Sequence, residues 1–151
     1  MITLLEDVII QTICRILIPF IQLYGLYVIA HGHSSPGGGF QGGVILGASF
    51  ILLCLSHDVQ ELKKRFSQRT NIIFFSIGVI IYSGIGVLCL LLGGSYLDYS
   101  WLHKILPVNS VEARSMGIFG IEVGVGITVM AVMISIFLDL SSEEAPQKEF
   151  S

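Results

Sequence analysis

The sequence predicts an all-α integral membrane protein with four transmembrane helices and both termini on the cytoplasmic side. Three observations carry that expectation. Of 151 residues, 53% are hydrophobic and only 13% charged, and the mean hydropathy is +0.81. A soluble domain carries roughly a quarter charged residues, so this chain lacks the polar cover that a water-facing surface needs. Four apolar runs, residues 8–30, 40–56, 72–92 and 116–138, come close to the ~20 residues a helix needs to cross the hydrocarbon core. The basic residues are also unevenly spread: Lys63, Lys64, Arg65 and Arg69 supply half of the total of 8. The positive-inside bias puts that loop in the cytoplasm, and an even number of spans then puts both termini there. A disordered chain, a nucleic-acid binder and most ordinary cytosolic enzymes are excluded, while a net charge of −3 singles out no partner.

The first run reads as a retained helix and not a signal peptide, because Glu6 and Asp7 stand where a basic n-region would be and no small-residue cleavage site follows. Gln11, Arg15, Pro19 and Gln22 fall within about 80° of one another on a helical wheel. That is a polar stripe with a proline kink. Arg15 belongs either at the cytoplasmic interface or in an internal ion pair, with Glu122 or with a partner's acid.

The second run is short and glycine-rich. Ser34 or Ser35 can cap a helix with Pro36 at its first position. Such a helix would contain Gly37, Gly38, Gly39, Gly42 and Gly43, each costing about 1 kcal/mol against alanine. The alternatives are a weak helix held by its neighbours and an irregular glycine turn at membrane depth, and both require close packing. Gly37-Gly38-Gly39-Phe40-Gln41-Gly42 satisfies GxGxxG, yet no strand precedes it and no GK[ST] follows, so dinucleotide and phosphate-loop readings fail. His31 and His33 flank the block without nearby Cys, Asp or Glu, a poor metal set; they read as interfacial histidines or as a proton relay. His57 and Asp58 close the second run at the cytoplasmic face.

After the third run, Asn109-Ser-Val-Glu112 resembles a capping box opening the last helix. Glu122 is the strongest single clue. It lies about six residues, roughly 9 Å, into the fourth run. A carboxylate there costs several kcal/mol unless paired, hydrated or protonated. Function, structural pairing and snorkelling to the outer interface all remain open for it. Gly117, Gly120, Gly124, Thr128, Ala131 and Ser135 line one face of the same helix, a seat for close helix approach. Glu122 points about 160° away from Gly124. Both sides of the helix are thus expected to meet protein, at least one of them another subunit.

Cys14, Cys54 and Cys89 sit singly in three apolar runs, so neither a disulfide framework nor a CxxC metal site is expected. No nucleophile–base arrangement appears, and the chain alone is not expected to be an enzyme or to hold a cofactor or metal. The whole of 1–151 reads as one membrane domain with a polar, acidic cytoplasmic tail at 139–151.

From His33 through the glycine block to Gly43, the sequence resembles the MnhB-type subunit of the Mrp (Mnh) multisubunit sodium/proton antiporters. The resemblance covers nearly the whole chain. It takes in Thr12 and Arg15 on the first span, Asp58 closing the second, Glu112 before the last, and Glu122-Val-Gly124, where the family pattern has Asp. It implies an accessory subunit of the prokaryotic cell membrane, assembled with other membrane subunits and engaged with Na+ and H+, with Glu122, Arg15, His33 and Asp58 as candidates for translocation or buried pairing. Similar subunits occur in membrane-bound hydrogenase and sulfur-reducing complexes, which Gln41 resembles slightly more. A purely structural scaffold and an independent small channel are the other readings.

Overall fold

The computed structural model describes residues 2–32, 37–56 and 68–143, with side chains over 8–32, 37–56 and 69–141. His33, Ser34, Ser35, Pro36, His57, Asp58, Lys63, Lys64, Arg65 and most of the acidic tail lie outside the described residues. Four long helices account for nearly all of the described chain: α1 (Ile2–Ala30), α2 (Gly38–Ser56), α3 (Gln68–Leu91) and α4 (Ser110–Glu143). Each contains a stretch long and apolar enough to span: Val8–Ala30, Gly38–Ser56, Arg69–Leu91 and Ser110–Ser141. In lipid every backbone N–H and C=O must find a partner within the chain, and a helix provides one locally.

The helices form a row in the order α1, α2, α4, α3. α4 packs along its length on α2 and on α3, α1 lies on α2 and only touches α4, and among the described residues α3 packs on neither α1 nor α2. A row encloses little. The outward faces of α1 and α3 accordingly carry exposed Leu23, Tyr27, Ile73 and Ile80, side chains suited to lipid or to other protein.

This order corrects one expectation. Both faces of α4 do meet protein, but the protein is this chain's own α2 and α3, so two-sided packing by itself requires no second subunit. Gly124 faces α3, where an added Cβ would stand 3.0 Å from the Gly78 carbonyl. Gly120 faces Ile85, and Gly117 faces Tyr99 and Leu102. On the other side a Cβ on Gly43 would stand 2.6 Å from the Gly126 carbonyl. The glycines of α2 and α4 bring backbones to a separation that side chains would forbid.

The glycine block combines the two alternatives. Gly37 (φ +138°) and Gly38 (φ +60°) turn the chain through conformations that L side chains avoid. α2 then starts at Gly38 and carries Gly39, Gly42 and Gly43, all buried, inside regular helix.

The connection from α3 to α4 is built, not slack. A 3-10 turn, Tyr99–Lys104, opens on Asp98, whose carboxylate accepts from the Ser100 amide at 3.3 Å. Leu102 inserts between the helices against Cys89 and Ala113. Lys104 Nζ donates to the Leu92 carbonyl at 3.0 Å and lies 4.1 Å from the centre of the Trp101 ring, closing the C-terminal end of α3. Asn109 stands at the N-cap of α4, its carbonyl accepting from the Ala113 amide at 2.8 Å, with Glu112 exposed in the first turn.

Candidate functional site at the α1–α2 turn

Helix register places the polar residues in depth. The contact between Gly126 of α4 and Ile29 of α1 serves as a common level. Arg15 lies 14 residues before Ile29 and Asp139 lies 13 after Gly126, each about 20 Å toward the same end. Gly78 faces Gly124 and Thr128, so Arg69, nine residues earlier, is about 14 Å toward that end. Arg15, Arg69 and Asp139 are all exposed. They form a charged band at one end of the row, which is where long basic side chains reach an interface.

Glu122 lies on the other side of that level, about 25 Å from Arg15. An ion pair between them within this chain is therefore ruled out, which corrects one of the sequence expectations. Arg15 belongs instead to the charged band. Pro19, inside α1, cannot donate to the Arg15 carbonyl four residues back, which leaves that backbone oxygen next to the charged end.

The Glu122 carboxylate is wedged between the end of α1 and the start of α2. A Cβ on Gly38 would stand 2.9 Å from Oε1 and 3.0 Å from Oε2, and one on Gly32 would collide with Oε2. A Cβ on Gly39 would strike the Glu122 backbone carbonyl. Glycine at 32, 38 and 39 is thus what makes room for the acid. The carboxylate rests at the N-terminus of a helix of 19 residues, where unsatisfied amides and the helix dipole favour negative charge. This geometry accounts for how an acid is accommodated inside a membrane span.

His31 is exposed at the end of α1, one residue from Gly32. Its Nδ1 pairs with the Tyr27 carbonyl at 3.1 Å and its ring stacks on Tyr27 at 4.1 Å between centroids. Gln41 folds its side-chain oxygen back over Gly37. A local contact thus accounts for a residue that the sequence alone offered as a mark of hydrogenase-type complexes. His33 and Asp58, the other two candidates, lie outside the described residues. The three cysteines are buried, unbridged and on different helices. Among the described residues no three His, Cys, Asp or Glu side chains gather into a metal-binding group.

Sequence reasoning missed Asn71. Its side chain is 3% exposed, and Nδ2 donates to the Ala131 carbonyl at 2.9 Å and to Ser135 Oγ at 2.8 Å. It ties α3 to the small-residue face of α4 by the kind of polar contact that holds helices together in lipid. A signal existed: an amide directly before an apolar run, facing a helix stripe that ends in Ser135. Placing the start of the third run at Ile72 left it in the loop.

Apolar helices in a row, charges gathered at one end and a carboxylate seated by glycines near the other define a multi-pass membrane protein with a polar site inside its span. The family described as "Domain related to MnhB subunit of Na+/H+ antiporter" matches residues 9–135, and the chain belongs to it. Relatives bearing the name antiporter subunit mnhB2, from Staphylococcus aureus strains Newman, JH1 and Mu3, are 29% identical over 137 residues, covering 90% of this chain and 95% of theirs. The chain is accordingly a multi-pass protein of the prokaryotic plasma membrane.

Proposed function

We propose that this chain is an accessory membrane subunit of a multisubunit Na+/H+ antiporter, non-catalytic in itself, in which Glu122 takes part in cation or proton movement. Family membership and the antiporter relatives support the subunit assignment and favour it over the hydrogenase-type complex. The seated carboxylate carries the rest. An acid held inside a span by glycines and a helix N-terminus can exchange a proton or a cation without leaving the fold. With Lys63, Lys64, Arg65 and Arg69 on the cytoplasmic side, the charged band is cytoplasmic and Glu122 lies toward the outer face. Arg15 then acts at the inner interface, and His33 and Asp58 are candidates at the two ends.

The test is Glu122→Gln in the assembled complex, with Na+-dependent proton flux measured in everted vesicles. Flux per complex is expected to fall by an order of magnitude or more while assembly is preserved, a loss of at least about 1.4 kcal/mol. Unchanged flux per complex would remove the transport role.

A scaffold reading is favoured by the same contact, because the carboxylate also pins the α1–α2 turn to α4. On that reading Glu122→Gln lowers the recovery of the complex, and every complex recovered turns over normally.

A further inference from the structure

A groove of about 450 Å³ opens between α1, α2 and α4, where α1 draws away from α4. Leu26 and Ile29 of α1, Phe50 of α2, and Phe119, Val123 and Met130 of α4 line it, and Gln22 is the one polar residue of its wall. From Phe119 to Met130 it runs about 17 Å along α4. By the register above, this stretch lies on the Glu122 side of the row, away from the charged band.

We propose that this groove holds one acyl chain of a phospholipid from the leaflet on the Glu122 side. Three features choose that occupant over a helix of another subunit. The groove's length is close to the ~15 Å depth of one leaflet, half of a ~30 Å hydrocarbon core, and it runs along α4 as a lipid tail would. Spread over that length, 450 Å³ is a channel averaging about 26 Å² in cross-section. A helix, ~10 Å across, needs about 80 Å²; a polymethylene chain needs far less. The walls, finally, are bulky. The helix contacts of α4 with α2 and α3 run through Gly39, Gly43, Gly78 or Gly124. The groove offers an incoming helix no such small-residue seat.

The tail would fill the gap that the row leaves between α1 and α4 and hold α1 in place from its open side. The proposal rests on the fold and not on the transport role of Glu122.

The experiment uses the assembled complex in vesicles containing phosphatidylglycerol with a diazirine on one acyl chain. Samples are irradiated before and after extensive washing in lipid-free detergent, and adducts are mapped by peptide mass spectrometry. Adducts at Val123, Ile127 and Met130 are expected to survive washing, while those at the exposed outer positions Leu23 and Ile80 fall roughly tenfold, as slow and fast exchange require. Ala30→Phe, which narrows the mouth, is expected to reduce the groove adducts severalfold and leave those at Ile80 unchanged. Groove and outer adducts that wash away together would overturn the proposal, as would groove residues that cross-link only to another polypeptide. Both are read on the unaltered protein, independently of how the variant assembles.

Discussion

The two sides of α4 hold their neighbours by different means. Toward α2 the contact is backbone on backbone, Gly39 against the Glu122 carbonyl and Gly43 against that of Gly126, with a carboxylate filling the remaining space. Toward α3 small side chains intervene: Thr128 bonds back to the Gly124 carbonyl at 2.8 Å, Asn71 bridges to Ala131 and Ser135, and the 3-10 turn wedges Leu102 into the end. The first interface has no slack, and its polar group is an acid. The second can give by a few tenths of an ångström, and its polar group is a neutral amide. A site for a mobile ion suits the first kind, whose charge is held by a rigid frame, while the second is suited to holding the fold.

Substitutions can break that contrast. The largest effect is expected from Gly39→Ala, because the added methyl meets backbone that cannot move without shifting the whole of α4. The cost should exceed the ~1–3 kcal/mol of ordinary overpacking, and the subunit should be missing from complexes purified from membranes and probed by immunoblot. Asn71→Ala on the other side is expected to cost about 1 kcal/mol, the size of an interhelical polar contact in lipid, seen as a lower melting temperature with flux per complex retained. Gly124→Ala should be milder still. Its Cβ would stand 3.0 Å from the Gly78 carbonyl and 3.1 Å from Ile81 Cγ2, and the strain is offset in part by the ~1 kcal/mol that alanine gains over glycine in a helix. Equal losses for Gly39→Ala and Gly124→Ala would erase the distinction between the interfaces.

The smallest effect concerns the 3-10 turn. Hydrogen bonding from Ser100, with Arg114 adding to it, holds the Asp98 carboxyl below its ordinary range. A group lowered on folding contributes stability that is complete above its unfolded value and is lost as the pH falls through the folded one. The difference in melting temperature between the native complex and Asp98→Asn should therefore be present at neutral pH and vanish in acid. A difference that grows on acidification would contradict the assignment.

Much of this architecture was legible in the residues. The four spans follow from hydropathy, and the small-residue face of α4 from helical spacing; both are local patterns. The neighbours of that face were not legible, because spacing shows that a stripe exists and not which helix fills it. Glu122 stood out as costly, yet its seat is made by Gly32, Gly38 and Gly39, some eighty to ninety residues earlier in the chain, and only the fold brings them together. Arg15 invited pairing with Glu122 because the two are the conspicuous charges inside the first and last runs. Register along the helices separates them. The ends of α3 and α4 extend past the apolar runs because polar residues such as Asn71 and Ser110 are accommodated once a neighbouring helix or the 3-10 turn covers them.

The seating of the acid is tested most directly by a cryo-electron microscopy map of the assembled antiporter complex at side-chain resolution. The account predicts α4 between α2 and α3, with the Glu122 carboxylate against Gly38 at the start of α2. A carboxylate turned outward to lipid, or an α2 that packs on another subunit with its glycines away from α4, would contradict it.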